Sequence, residues 1–223
     1  CGMSVKDITS IPGTCYISDY PIYENSVEIA SFEECRDNKA KYAEACRIQY
    51  EEQNPYIGKT VVQKHNDKYL IQNPPMPPLN TEELDNVYSL PYMKNYHPIY
   101  EKDGGIEAIK EVKFSLTSSR GCFGSCNFCA LAFHQGRIVT ARSKESLVAE
   151  AKEMIKDPDF KGYIHDVGGP TANFRKPACK KQLKFGACKD KRCLYPSPCK
   201  NMETDHSEYS VLLKELRKID GVK

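Results

Sequence analysis

Polar and apolar positions along the chain fall into short stretches of recognisable period. Glu111-Val112-Lys113-Phe114-Ser115-Leu116-Thr117 alternates polar and apolar residues, the pattern of a half-buried strand. From Ser143 to Lys156 the repeat is helical. Leu147, Ala151 and Ile155 recur at i, i+4 and i+8, Ser143 and Ser146 both offer N-caps, and Asp157-Pro158 closes the run. Phe160 to Val167 reads as a second strand that ends in Gly168-Gly169-Pro170-Thr171. Strand, cysteine loop, helix, strand and glycine turn in that order predict a βαβ unit, hence a parallel sheet with a right-handed crossover. A further helix is expected from Tyr209 to Ile219, with Val211, Leu212, Leu216 and Ile219 apolar.

The first hundred residues carry different patterns. Ser31-Phe32-Glu33-Glu34 is a capping box that opens a helix expected to reach about Glu52, with Tyr42, Cys46 and Tyr50 at four-residue spacing as its core stripe. Thr60–Lys64 and Lys68–Gln72 flank His65-Asn66-Asp67, a hairpin. Pro74-Pro75-Met76-Pro77-Pro78 forms a stiff spacer before a short helix from Thr81 to Tyr88. The chain thus divides into residues 1–110, a mixed segment of helix, hairpin and spacer, and residues 111–223, with a Cys-rich insertion at 175–200.

Composition narrows the chemistry. The 223 residues include 11 cysteines, and the net charge of +2 points to no partner by itself. There is no apolar run long enough to span a membrane and no signal peptide, and clustered thiols suit a reducing cytoplasm better than a disulfide framework. Cys122, Cys126 and Cys129 form C-x3-C-x2-C. Soft thiolates select iron–sulfur clusters or zinc, and a [4Fe–4S] cluster held by three of them keeps one iron open to a small molecule. A zinc loop with a distant fourth ligand is the alternative. No phosphate-binding, nucleophile-elbow or H-E-x-x-H motif is present.

With Phe128 just before its last cysteine, this run resembles the radical S-adenosylmethionine (SAM) superfamily. The resemblance implies that Cys122, Cys126 and Cys129 hold a [4Fe–4S] cluster whose open iron chelates the amino and carboxyl groups of SAM. The reduced cluster then cleaves SAM to a 5′-deoxyadenosyl radical. It also implies that backbone near Phe128 meets the adenine, and that an external donor such as flavodoxin or ferredoxin supplies the electron. Gly168, Gly169 and Pro170 fall where the family carries a GGE-like stretch, so Pro170 departs from the usual Glu and contact with SAM there comes from backbone. The implied fold is α/β, the N-terminal part of a radical SAM partial (β/α) barrel preceded by a mixed α+β segment. Together with Asp166-Val167-Gly168-Gly169-Pro170-Thr171-Ala172-Asn173, Gly13-Thr14-Cys15-Tyr16-Ile17 and Tyr96-His97-Pro98-Ile99-Tyr100, the run is similar to the YgiQ family of long, uncharacterised radical SAM proteins. The resemblance supplies no substrate. A start at Cys1-Gly2-Met3, and room for only two or three βα units after Val112, read as an internal piece of a longer chain.

Four later cysteines, Cys179, Cys188, Cys193 and Cys199, are separated by gaps of eight, four and five residues. They suit a second metal site, zinc or a second iron–sulfur cluster; unligated buried thiols are the other reading. Between Arg175 and Lys200 nine Lys or Arg accompany the single acid Asp190. These cations either balance anionic thiolate clusters or meet an anionic partner such as RNA. Cys1, Cys15, Cys35 and Cys46 read as structural thiols, and His134 and His165 are the histidines nearest the predicted site. Three function classes emerge: a [4Fe–4S]- and SAM-dependent radical enzyme of unassigned substrate, a zinc-stabilised Cys-rich binding module, and an RNA-interacting protein whose basic cysteine loop docks a tRNA or rRNA, a role compatible with the first.

Overall fold

A computed structural model describes residues 2, 4–169 and 174–223. Pro170 lies outside the described residues. The elements in chain order begin with β1 (Cys15–Ser18), β2 (Ser26–Ile29), α1 (Phe32–Asp37), α2 (Lys39–Glu52), β3 (Thr60–His65), β4 (Lys68–Gln72) and α3 (Thr81–Tyr88). Then follow α4 (Ile109–Val112), β5 (Ser115–Thr117), β6 (Ser119–Arg120), α5 (Leu131–Gln135), β7 (Thr140–Ala141), α6 (Lys144–Met154), β8 (Asp166–Gly168), α7 (Gln182–Phe185) and α8 (Ser207–Arg217). They form two compact units, each built from three stretches of chain. The first unit takes Cys1–Pro78, Phe123–Ile138 and Cys179–Lys200; the second takes Leu79–Cys122, Val139–Ala178 and Asn201–Lys223.

The first unit is built on a four-stranded sheet of order β1-β4-β3-β2. The expected hairpin is present: β3 and β4 pair antiparallel up to His65 opposite Lys68, and Asn66 takes a positive φ of 52°. Asn tolerates this left-handed conformation and so suits a two-residue turn. Strand β2 runs parallel to β3, with α1 and α2 making the crossover. The capping box is present too, since Ser31 Oγ accepts from Glu34 N and Glu34 returns to Ser31 N. The single expected helix is two, however. Asn38 adopts an extended conformation, and its side-chain oxygen accepts from Ala40 N and Lys41 N to start α2 afresh. A local Asn cap competes with helix continuation. The core stripe of α2 also differs from expectation. Ala45 and Ile48 pack with Ile29 and Val61, while Tyr42 is 59% exposed.

In the second unit β5 and β8 pair in parallel, Ser115 opposite Asp166 and Thr117 opposite Gly168, with α6 between them in the chain. Mixed α/β architecture with parallel pairing is as expected. Ser143 Oγ caps α6 by accepting from Ser146 N. Leu147 and Ala151, both fully buried, and Met154 pack with Leu116, Leu212 and Leu216 into one core. Each of the Leu and Met side chains contributes about 1.5–3 kcal/mol by leaving water. The strands are shorter than the alternation suggested. Glu111 and Val112 lie in the helical turn α4, and Phe160 and Ile164 pack on the core without joining β8. Val211 remains exposed, whereas Leu212 and Leu216 are the buried positions of α8.

Candidate metal and cofactor site

The strand that leads to the cysteine loop ends in a knot of backbone and arginine contacts. Ser118 N donates to Gly168 O at 2.7 Å, and Arg142 N donates to Ser118 O at 3.0 Å. Arg175 adds a bond from Nη1 to Ser118 O at 3.2 Å and one from Nη2 to Arg142 O at 2.8 Å, and it pairs with Glu208 at 3.2 Å. The end of β5, the glycine end of β8 and the segment before α6 are thereby fixed to one another. The buried hydroxyls of Ser118 and Ser119 have no hydrogen-bond partner among the described residues. Native structures leave few such groups, and they concentrate at functional positions. Gly168 is buried and its carbonyl accepts from Ser118.

Cys122 follows directly after this knot and is half-buried in the second unit. Cys126 and Cys129 belong to the first unit, Cys126 exposed and Cys129 half-buried, joined by a turn in which Cys129 N donates to Cys126 O at 3.0 Å. Phe128, beside them, is 92% exposed. Among the described residues no disulfide forms, and no group of three or more His, Cys, Asp or Glu is drawn together to hold a metal ion. The donor set still fits a soft metal. Three thiols lie on an irregular stretch free of helix or strand, which can adjust its turns around a cluster.

Within the first unit, residues 123–138 are fastened from two sides, neither of which local patterns foretell. Tyr50 on α2 donates its hydroxyl to Ser125 Oγ, and its ring meets Phe133 edge-on at 5.7 Å. Gln53 donates to Phe133 O. From the other side Arg192 donates to Asn127 Oδ1 at 2.6 Å and to Ser125 O at 3.2 Å. The 179–200 segment is itself held to α2 and the residues after it. Lys189 pairs with Glu52 at 2.7 Å, and Asn54 donates to Phe185 O at 3.0 Å and Ala187 O at 3.1 Å.

Arg137 occupies the middle of these contacts. It is 4% exposed, lies over the Tyr50 ring at 4.2 Å and donates to Cys188 O at 2.9 Å. Burial pulls its ionisation below the usual arginine range, opposed by the Tyr50, Cys193 and Cys188 side chains. A cleft of about 350 Å³ in this unit is bordered by Cys15, Gln53, Phe133, His134 and Arg137. His134 therefore faces a cleft, whereas His165 is tied to backbone at Glu111 O and set edge-on against Phe114. A larger cleft of about 1350 Å³ in the second unit, along α3 and α6, includes none of the predicted site residues.

The radical SAM N-terminal family matches residues 1–115. The chain belongs to the radical SAM family. Among its relatives, a UPF0313 protein of Clostridium perfringens strain 13 is 63% identical over the whole of this chain and 34% of its own length. A UPF0313 protein of Clostridium botulinum strain ATCC 19397 is 58% identical over the whole chain and 35% of its own length. The chain thus spans about a third of the curated relatives it matches. No solved structure matches it. Among the described residues of this radical SAM chain, no helix is long and apolar enough to cross a membrane.

Proposed function

We propose that the protein is a radical enzyme working with a [4Fe–4S] cluster and SAM on a substrate left unassigned. The observation that carries this reading is the C-x3-C-x2-C loop, in a radical SAM family member, leaving one strand of a parallel βαβ unit whose partner strand ends in Gly168-Gly169. Cys122, Cys126 and Cys129 are read as the cluster ligands. When bound and reduced, the cluster with SAM supplies a 5′-deoxyadenosyl radical, the hard step that the cofactor rather than the protein performs. The chain's own residues hold and orient. Gly169 offers backbone without a Cβ in the way, Pro170 follows it in the sequence, and the exposed Phe128 leaves its neighbouring backbone open to the adenine.

Residues 111–223 are read as the first βα units of a partial (β/α) barrel, with 175–200 inserted and 1–110 preceding them. The rest of a longer, YgiQ-like chain completes it. Flavodoxin or ferredoxin in a reducing cytoplasm is the electron source of this proposal. The RNA reading has less support. Five of the nine basic side chains in 175–200 have intramolecular partners: Arg175 with Glu208, Lys176 with Asp205, Lys189 with Glu52, Arg192 with Asn127 and Lys181 with Cys188 Sγ.

The test is full-length protein reconstituted anaerobically with iron and sulfide and assayed for dithionite-driven release of 5′-deoxyadenosine. Wild type releases it. Cys126→Ala loses about four irons and the release together, because two thiolates hold a cluster of this kind poorly. Full iron and SAM cleavage in that variant would overturn the assignment.

A further inference from the structure

We propose that Cys179, Cys188, Cys193 and Cys199 hold a second, four-thiolate metal centre seated against the buried Arg137 guanidinium. This centre takes a soft metal, either one zinc or a [4Fe–4S] cluster, and is independent of the first site. The argument starts from how the segment folds. Gln182 N donates to Cys179 O at 3.1 Å, and the buried Gln182 side chain reaches Cys193 Sγ at 3.9 Å. Cys199 N donates to Cys193 O at 2.8 Å, and Arg137 Nη2 donates to Cys188 O at 2.9 Å. One set of contacts thus gathers the neighbourhoods of all four cysteines within one unit. Lys181 Nζ lies 3.5 Å from Cys188 Sγ.

The second observation is Arg137 itself. Its Nε is buried without a hydrogen-bond partner, and among the described residues no carboxylate pairs with the guanidinium. A buried cation without a counter-charge is costly, and nature supplies one with pairing or a metal site. Four thiolates on a divalent metal, or on an oxidised [4Fe–4S] core, carry a net double negative charge. Arg137, and Lys181 within the segment, are cations placed to answer it. A bound metal deprotonates its thiols. The sulfurs are not drawn to metal-binding separation among the described residues. The segment's only regular structure is the single turn α7, and the cysteines themselves lie outside it.

Two further contacts give the centre a role. Arg192, next to Cys193, is the residue that grips Asn127 and Ser125 of the first cysteine loop. A metal at the second site therefore braces residues that neighbour Cys126.

The experiment counts metals on full-length protein purified and reconstituted anaerobically. Wild type with about eight irons gives the cluster form, and about four irons with about one zinc gives the zinc form. About four irons without zinc overturns the proposal. Cys122→Ala/Cys126→Ala/Cys129→Ala is expected to release no 5′-deoxyadenosine yet retain the second metal, with an X-ray absorption shell of four sulfurs at about 2.3 Å. An empty triple variant, or a shell containing nitrogen or oxygen, overturns it. Zinc retained by a wild type that holds no iron would instead sink the radical-enzyme reading and leave this centre standing.

Discussion

Arg142 is 2% exposed, and its guanidinium is the charge around which the second unit closes. Nη1 lies 2.5 Å from Glu150 Oε2 and donates to Thr117 O at 3.2 Å; Nε and Nη2 reach Ser146 Oγ at 3.2 and 2.8 Å. The plane stacks on Tyr88 at 4.1 Å. Arg142→Met keeps the stem and removes the charge. Glu150, with a side chain 17% exposed, then retains only Lys94 at 3.5 Å. A pair about 4 Å apart at an effective dielectric of about 20 is worth about 4 kcal/mol. Stranding one member of a buried pair costs roughly 3–5 kcal/mol. The unpaired Thr117 carbonyl adds about 1 kcal/mol, while Lys94 recovers part of the charge loss. The expected cost is about 3 kcal/mol, roughly a hundredfold in the opening equilibrium. Hydrogen exchange at the β5 and β8 amides reads that equilibrium for this unit alone. Those amides are expected to exchange about a hundredfold faster, and in Arg142→Met/Glu150→Gln, which leaves no stranded charge, to recover more than tenfold. Less than a fivefold change in the single variant would refute the charge argument. No recovery in the double variant would assign the cost to packing on Tyr88 instead.

Two other predictions test separate joints. Asp205 accepts from the Ser207 N–H and O–H and pairs with Lys176, which together pull its carboxyl down from the ordinary 3.8 to about 2. A depressed carboxyl adds stability above its unfolded value and loses it as pH falls through the folded one. The stability gap between wild type and Asp205→Asn should therefore shrink between pH 4 and pH 2; a gap unchanged with acid would count against a stabilising role for these Ser207 and Lys176 contacts. Gly186 sits at φ +72°, and a Cβ there would come within 2.3 Å of Asn54 Oδ1. Gly186→Ala combines left-handed strain of about 1–2 kcal/mol with displacement of an amide that holds Phe185 and Ala187, for about 2–4 kcal/mol in all. Faster protease cleavage within 182–188 is the readout, and unchanged resistance there would contradict it.

What the chain discloses locally it discloses well. The Ser143 cap, the Ser31–Glu34 capping box of α1 and the Asn66-Asp67 turn are short-range hydrogen-bonding arrangements, and residues a few positions apart write them. The failures have equally definite causes. β1 is four residues long, and its partner β4 lies more than fifty positions along the chain, so neither length nor period announces it. Asn38 splits a helix whose hydrophobic spacing runs straight through, because one side-chain oxygen captures two backbone N–H groups. Phe160 and Ile164 read as strand positions but pack against the core that includes Leu147 and Leu212, outside the β8 ladder.

The site divides along the same line. Thiol spacing singles out Cys122, Cys126 and Cys129 as candidate ligands, since close intervals between thiols are readable in the sequence itself. The residues that hold their loop obey no such interval. Tyr50 meets Ser125 across 75 positions, and Lys189 meets Glu52 across 137. Tyr50 was legible only as one third of an aromatic stripe, and the fold separates that stripe, leaving Tyr42 in water and turning Tyr50 to Phe133 and Arg137. Helix α2 thus contributes one face to the sheet and another to the cysteine segments. A substitution at Tyr50 should disturb the cysteine loop more than the sheet core, whose α2 contacts come from Ala45 and Ile48. The N-terminal segment is therefore part of the scaffold of the cysteine loop, because the same helix that completes its own sheet also fixes Ser125, one residue before Cys126.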